Sequence, residues 1–233
     1  MARYTTAYSS FIERLDEIHV LRKSAAAKAR LDPIKYRREI NALCRGAIVL
    51  LSSHVEAYVK ELGEVALEAM FDRKVDRKKI SRRIFYHVSR ELLENVSASD
   101  DPEKVVERTF FFIETDGDLW SKDGEFPRSL PSERFNRGFS NPKFEKIRSY
   151  FQRFGYSNYK NEIQAVLKAR SAPVINLLDH LVDMRNSIAH GDPSASKTPD
   201  EIDEMINLIT IYCRTTDVLF ADWCQQSMCR IRR

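Results

Sequence analysis

The chain has 233 residues, 43% hydrophobic and 31% charged, with a formal net charge of +4 at pH 7. That length allows one well-buried domain over 1–233 with an elaborated insert, and no uninterrupted apolar run approaches the roughly 20 residues of a membrane span. Residues 1–10 have no apolar core of signal-peptide length, so a cytoplasmic protein with no membrane partner is expected.

Seven glycines and eight prolines are few, which favours long helices over a turn-rich β architecture. Taken in chain order, the apolar periodicity is helical. A first helix is predicted over 6–30 and a long second one over 33–72, with Leu43, Ile48, Leu51, Val55, Tyr58 and Leu62 on its apolar side. Arg73, Lys74, Arg77, Lys78, Lys79, Arg82 and Arg83 follow within eleven residues, either as a solvated surface or as a phosphate-binding patch. Shorter helices are predicted over 79–95 and 102–113, the latter finished by the run Phe110 to Ile113. Residues 114–139 carry Gly117, Gly124, Pro127, Pro131 and Gly138 among polar neighbours, with Trp120 and Phe126 as possible anchors. This segment reads as an irregular insert, a lid or a packed surface loop. Helices over 142–154, 160–169, 173–190 and 199–229 complete an all-α, up-and-down bundle, and Arg230, Arg232 and Arg233 end the chain.

Prolines mark helix starts. Asp32-Pro33, Asp101-Pro102, Asn141-Pro142 and Thr198-Pro199 each place a capping side chain before a proline, the arrangement of an N-cap followed by the first helical residue. Glu201, three residues after Thr198, completes a capping box. The four cysteines, Cys44, Cys213, Cys224 and Cys229, form no C-x-x-C pair, so neither a zinc site nor a disulfide is expected, and no cofactor.

Three of the five histidines have an arginine five residues earlier: Arg14/His19, Arg82/His87 and Arg185/His190. An arginine can hold a phosphate and a histidine can move a proton near neutral pH. Ion pairing on a helix surface accounts for the first pair, and an apolar middle and basic flank account for the second. The third differs. Val174, Leu178 and Leu181 step along one face by four and three, and Arg185 falls four further on, where a core side chain is expected. A guanidinium there needs a partner or a cleft. His190 precedes Gly191, a natural residue for leaving a helix, and Pro193 blocks continuation. The negative end of the helix dipole favours imidazolium at that position. Asn186, four residues before His190, shares its face and can bond the imidazole or a substrate oxygen. Arg185 and His190 stand about 140° apart on an ideal helix, so they converge on one ligand only if the helix end unwinds or a second copy contributes. Glu56 on the long second helix, flanked by the small Ser52 and Gly63, is a candidate to orient Arg185; otherwise it faces solvent. The competing reading is a buried structural arginine and a histidine that merely ends its helix.

Arg185-Asn186-Ser187-Ile188-Ala189-His190-Gly191 resembles the signature of the HEPN superfamily. The stretch from Ala47 to Tyr58 is similar to the first core helix of its RiboL-PSP-HEPN type, and the segment ending in Phe154-Gly155-Tyr156 is also similar to that group. The resemblance covers most of 35–225. It implies a helical bundle that forms a symmetric homodimer, with two late motifs facing each other across a composite cleft. It further implies a metal-independent endoribonuclease acting as a toxin or in antiphage defence, with an antitoxin as a possible partner. Arg185, Asn186 and His190 are then catalytic, Glu56 supports them, and Arg77, Lys78, Lys79, Arg82 and Arg83 hold the RNA backbone. DNA, which lacks the 2′-hydroxyl, is not expected as a substrate. Members that have lost catalysis imply the alternatives of a module that binds RNA, nucleotide or protein, or of a structural dimer.

Overall fold

The computed structural model describes residues 3–232; Arg233, the last of the C-terminal arginines, lies outside them. Helix is the only regular secondary structure among the described residues. In chain order the α-helices are α1 (Thr6–Leu31), α2 (Arg37–Asp72), α3 (Arg82–Ser97), α4 (Pro102–Asp116), α5 (Ser132–Asn136), α6 (Phe144–Phe154), α7 (Tyr159–Leu167), α8 (Ser171–Ala189) and α9 (Pro199–Ser227). The all-α bundle read from periodicity is therefore the fold. Its centre is α1, α2, α8 and α9. α1 lies along α2, and α2, α8 and α9 pack against one another. The segment from α3 to the insert forms a second layer, which α6 joins to α8.

α2 is the central helix. Ile48, Leu51, Val55, Tyr58 and Leu62 are inaccessible, each contributing on the order of 2 kcal/mol by leaving water. One window of α2 reaches a mean hydropathy of 1.2, enough by length and composition to cross a membrane, but here that apolar surface covers other helices. Buried hydroxyls stay bonded: Tyr58 donates to the Cys213 carbonyl at 2.8 Å, and Tyr159 to the Tyr212 hydroxyl at 2.8 Å. The cysteines are free, and burial pushes the Cys44, Cys213 and Cys224 thiols up. Gly63 admits a close neighbour as expected of a small residue, and that neighbour is Tyr150 of α6.

Two of the proline-marked starts hold. The Asp101 carboxylate accepts the Glu103 N–H at 3.1 Å, and Thr198 and Glu201 form the full capping box. Two move. α2 begins at Arg37 because Asp32 spends its carboxylate on a tight turn, accepting from the N–H groups of Ile34 (3.0 Å) and Lys35 (2.9 Å). α6 begins at Phe144, since Asn141 sits at φ +53°, outside the extended backbone of an N-cap. Its first N–H is capped from a distance instead, by the Asp179 carboxylate of α8 at 2.8 Å. Pro173 falls inside the first turn of α8, where no helical N–H is needed.

The insert is more ordered than predicted. Residues 114–116 finish α4, a 3-10 turn spans Gly117–Trp120, and α5 occupies its far end. Leu119, Phe126, Leu130, Phe135 and Phe139 are buried beneath it. Asp116 is the polar anchor: it accepts from Ser89 at 2.6 Å and from both ends of the Arg134 guanidinium at 2.9 and 2.8 Å. Burial pushes this carboxyl up, but bonds from Arg134, Ser89 and Arg128 outweigh that and hold it below its usual value. Of the two candidate anchors, Phe126 is buried, whereas Trp120 packs against Phe85 and Phe112 and remains 39% exposed.

Candidate active site

The end of α8 is built as its sequence requires. His190 is the cap at φ −82°, ψ 4°, and Gly191 follows at φ +83°. The Gly191 N–H donates to the Ile188 carbonyl at 3.1 Å and the Asp192 N–H to the Ser187 carbonyl at 3.0 Å, the paired closure of a Schellman end. The His190 side chain is exposed. α8 stays helical through Ala189, so unwinding does not bring Arg185 and His190 together within one chain.

Arg185 is half-buried rather than in the core. The buried residues of α8 end with Leu181, Val182 and Met184, and the turn that carries Arg185 is only partly covered. The guanidinium lies at their rim and donates to the Asn186 side-chain carbonyl at 3.1 Å. Asn186 thus bonds the arginine through its side chain and meets His190 only through its backbone carbonyl, which accepts the His190 N–H at 2.9 Å. Glu56 does not orient Arg185 within this chain. Its carboxylate takes Lys60 at 2.7 Å, one turn along α2, and the Asn141 N–H at 3.2 Å.

Sequence reasoning missed Arg45. From α2 it donates to the Asp192 carbonyl at 2.6 Å, tying down the loop that follows His190. The Asp192 side chain in turn accepts the Ser194 N–H at 2.8 Å and hydroxyl at 2.7 Å, and these bonds hold its carboxyl below the ordinary range. A cation next to buried Cys44 on a core helix was the available signal.

Each of the other two Arg/His pairs has one member engaged elsewhere, the first by an acid of another helix and not of its own. Arg14 pairs with Glu61 of α2. His87 is half-buried edge-on to Phe135, with ring centroids 6.1 Å apart. Its pKa is lowered to about 4, first by burial and then by Arg153, Arg90 and Arg83.

The basic cluster divides. Arg77 is spent internally, donating to the carbonyls of Asp118 (2.8 Å), Leu119 (3.3 Å), Asp123 (3.1 Å) and Gly124 (3.3 Å), so it staples the insert to α3's approach and is not free for phosphate. Lys78 reaches Asp123 at 3.6 Å, and Arg83 donates to the Gln152 carbonyl at 3.3 Å. Lys79 and Arg82 are exposed. At the C-terminus Arg232 pairs with Asp222 at 2.8 Å. Among the described residues, no three or more His, Cys, Asp or Glu side chains cluster so as to hold a metal.

The model of the RiboL-PSP-HEPN family matches residues 9–222. No curated protein and no solved structure matches the chain.

Proposed function

The chain belongs to the RiboL-PSP-HEPN family, and on that premise we propose that it is a metal-independent endoribonuclease with a site completed by a second copy. The observation that carries the reading is the last turn of α8. A half-buried guanidinium is bonded to Asn186, the C-cap residue His190 carries an exposed imidazole, and Arg45 fixes the loop beyond.

In the proposed reaction the RNA 2′-oxygen attacks the adjacent phosphorus and the 5′-oxygen leaves. One His190 takes the proton from the 2′-hydroxyl or gives one to the leaving oxygen. Arg185 offsets the charge gathering on the phosphoryl oxygens, and Asn186 holds the guanidinium in place. The products are a 2′,3′-cyclic phosphate and a 5′-hydroxyl. Arg185 and His190 lie on different sides of one helix, and apposing two copies across a two-fold axis is the arrangement that puts one chain's arginine beside the other's histidine. In the cell this activity fits a toxin or an antiphage ribonuclease held in check by an antitoxin, within the cytoplasm.

Expression of wild type against His190→Ala, scoring growth and RNA integrity together, tests the reading. Removing a general acid or base is expected to cost about 10²–10⁴-fold in cleavage. Equal cleavage by His190→Ala, or cleavage that stops when a chelator removes divalent metal, sinks it.

A further inference from the structure

A cavity of about 580 Å³ opens between the start of α3 and the 3-10 turn of the insert. Its volume falls within the range of ordinary small-ligand pockets. The wall is aromatic: Trp120, with Phe85 behind it at a centroid distance of 6.0 Å. The indole is held in place, its N–H donating to the Ser89 hydroxyl at 3.0 Å and its ring edge-on to Phe112 at 5.7 Å. The rim carries more cations than acids: Asp123 also lines it and lies 3.6 Å from Lys78. Arg82 and Lys122 line it and are exposed, and no ion pair engages either of them among the described residues. This pocket is separate from the end of α8, since α3 reaches α8 through α6.

A rigid, part-exposed indole beside free cations matches an unpaired nucleotide: a flat base to stack and a phosphodiester to neutralise. A paired base presents no free face, so such a pocket discriminates by strandedness rather than by sequence. We propose that this pocket seats one unpaired base of single-stranded RNA on Trp120, with the flanking phosphates on Arg82 and Lys122. The proposal rests on RNA being the ligand of the site above, and it makes the unpaired strand the substrate class. It also assigns a job to the insert, which supplies Trp120 and Lys122.

The probe is a fluorescent oligouridine, with a duplex of equal length for comparison, in the His190→Ala background so that cleavage cannot intrude. Arg82→Glu with Lys122→Glu suits the fold, because an acid in the first turn of α3 suits the helix dipole and Lys122 is exposed. The pair is expected to weaken single-strand binding about tenfold and to lower the slope of log affinity against log salt by about 1.4, at roughly 0.7 for each phosphate that is no longer neutralised. Lys23→Glu with Arg30→Glu on α1 changes the net charge equally and is expected to do neither. Trp223→Phe leaves Trp120 as the one tryptophan, and its emission is expected to be quenched by the oligonucleotide and not by the duplex. An affinity that the Arg82/Lys122 pair leaves unchanged, an equal loss in the α1 control, or unquenched Trp120 emission overturns the proposal. None of these readouts requires catalysis. A protein that binds here but never cuts RNA therefore sinks the nuclease reading alone, and one that cuts RNA with a silent Trp120 sinks the pocket alone.

Discussion

Arg45 holds the loop after His190 with one charge-assisted bond at 2.6 Å to the Asp192 carbonyl. Arg45→Met keeps the aliphatic stem and removes the donor. A stability loss of about 1–2 kcal/mol is expected by thermal melting, together with a several-fold fall in kcat and little change in KM. Arg45→Lys is expected to recover part of the kcat, which a purely packing role does not predict. His87 supplies a pH prediction. Its folded pKa of about 4 lies below the ordinary 6.5, so between those values the unfolded chain binds more protons than the folded one. Stability is then highest above pH 6.5 and falls as the pH drops toward 4. On partial exposure this is worth on the order of 1–2 kcal/mol. Urea midpoints at pH 4.5 and 7 check it: His87→Gln is expected to flatten that difference. Single residues were legible unequally. Arg185 and His190 stood out by local pattern, whereas Arg45 acts on a carbonyl 147 positions away and left almost no trace in its own neighbourhood.

Elements were read best where their signals are local. The capping box at Thr198 and the Schellman end at Gly191 involve residues within a few positions of each other, and both form as spelled. The start of α2 was misplaced by an equally local competitor, the turn in which Asp32 accepts from Ile34 and Lys35, and that of α6 by a distant one, Asp179 of α8. Helix crossings are likewise nonlocal. A Cβ at Gly63 would overlap the Tyr150 hydroxyl and ring, so Gly63→Ala pushes α6 away from α2. The gain of about 1 kcal/mol in helix propensity is expected to be outweighed by overpacking, for a net loss of about 1–2 kcal/mol in chemical denaturation. Tyr150→Phe in the same background should return part of it, since the hydroxyl makes the closest clash.

For the molecule and its second copy, the separation of Arg185 and His190 around α8 sets the test. If the site takes its arginine from one copy and its histidine from the other, two dead chains can rebuild one live site. Arg185→Ala and His190→Ala, mixed after dissociation and reassociation, are expected to recover about one quarter of wild-type cleavage, because random pairing makes half the dimers mixed and each mixed dimer carries one intact site of two. Each variant alone stays inactive. A mixture as inactive as its parts, with mixed dimers demonstrated by native mass spectrometry, rejects the cross-subunit arrangement.

The helical class, the central place of α2, the glycine-terminated end of α8 and the family were all legible in the order of residues, since they rest on periodicity, backbone stereochemistry or short motifs. What those residues touch came from packing alone. Packing placed Arg185 at the rim of the core instead of within it, gave Glu56 to Lys60 and Asn141, and spent Arg77 on carbonyls of the insert. It also stood Trp120 at the edge of a basic pocket. A side chain's chemistry is written in its type, but its partner is set by chain segments that only the folded arrangement brings near.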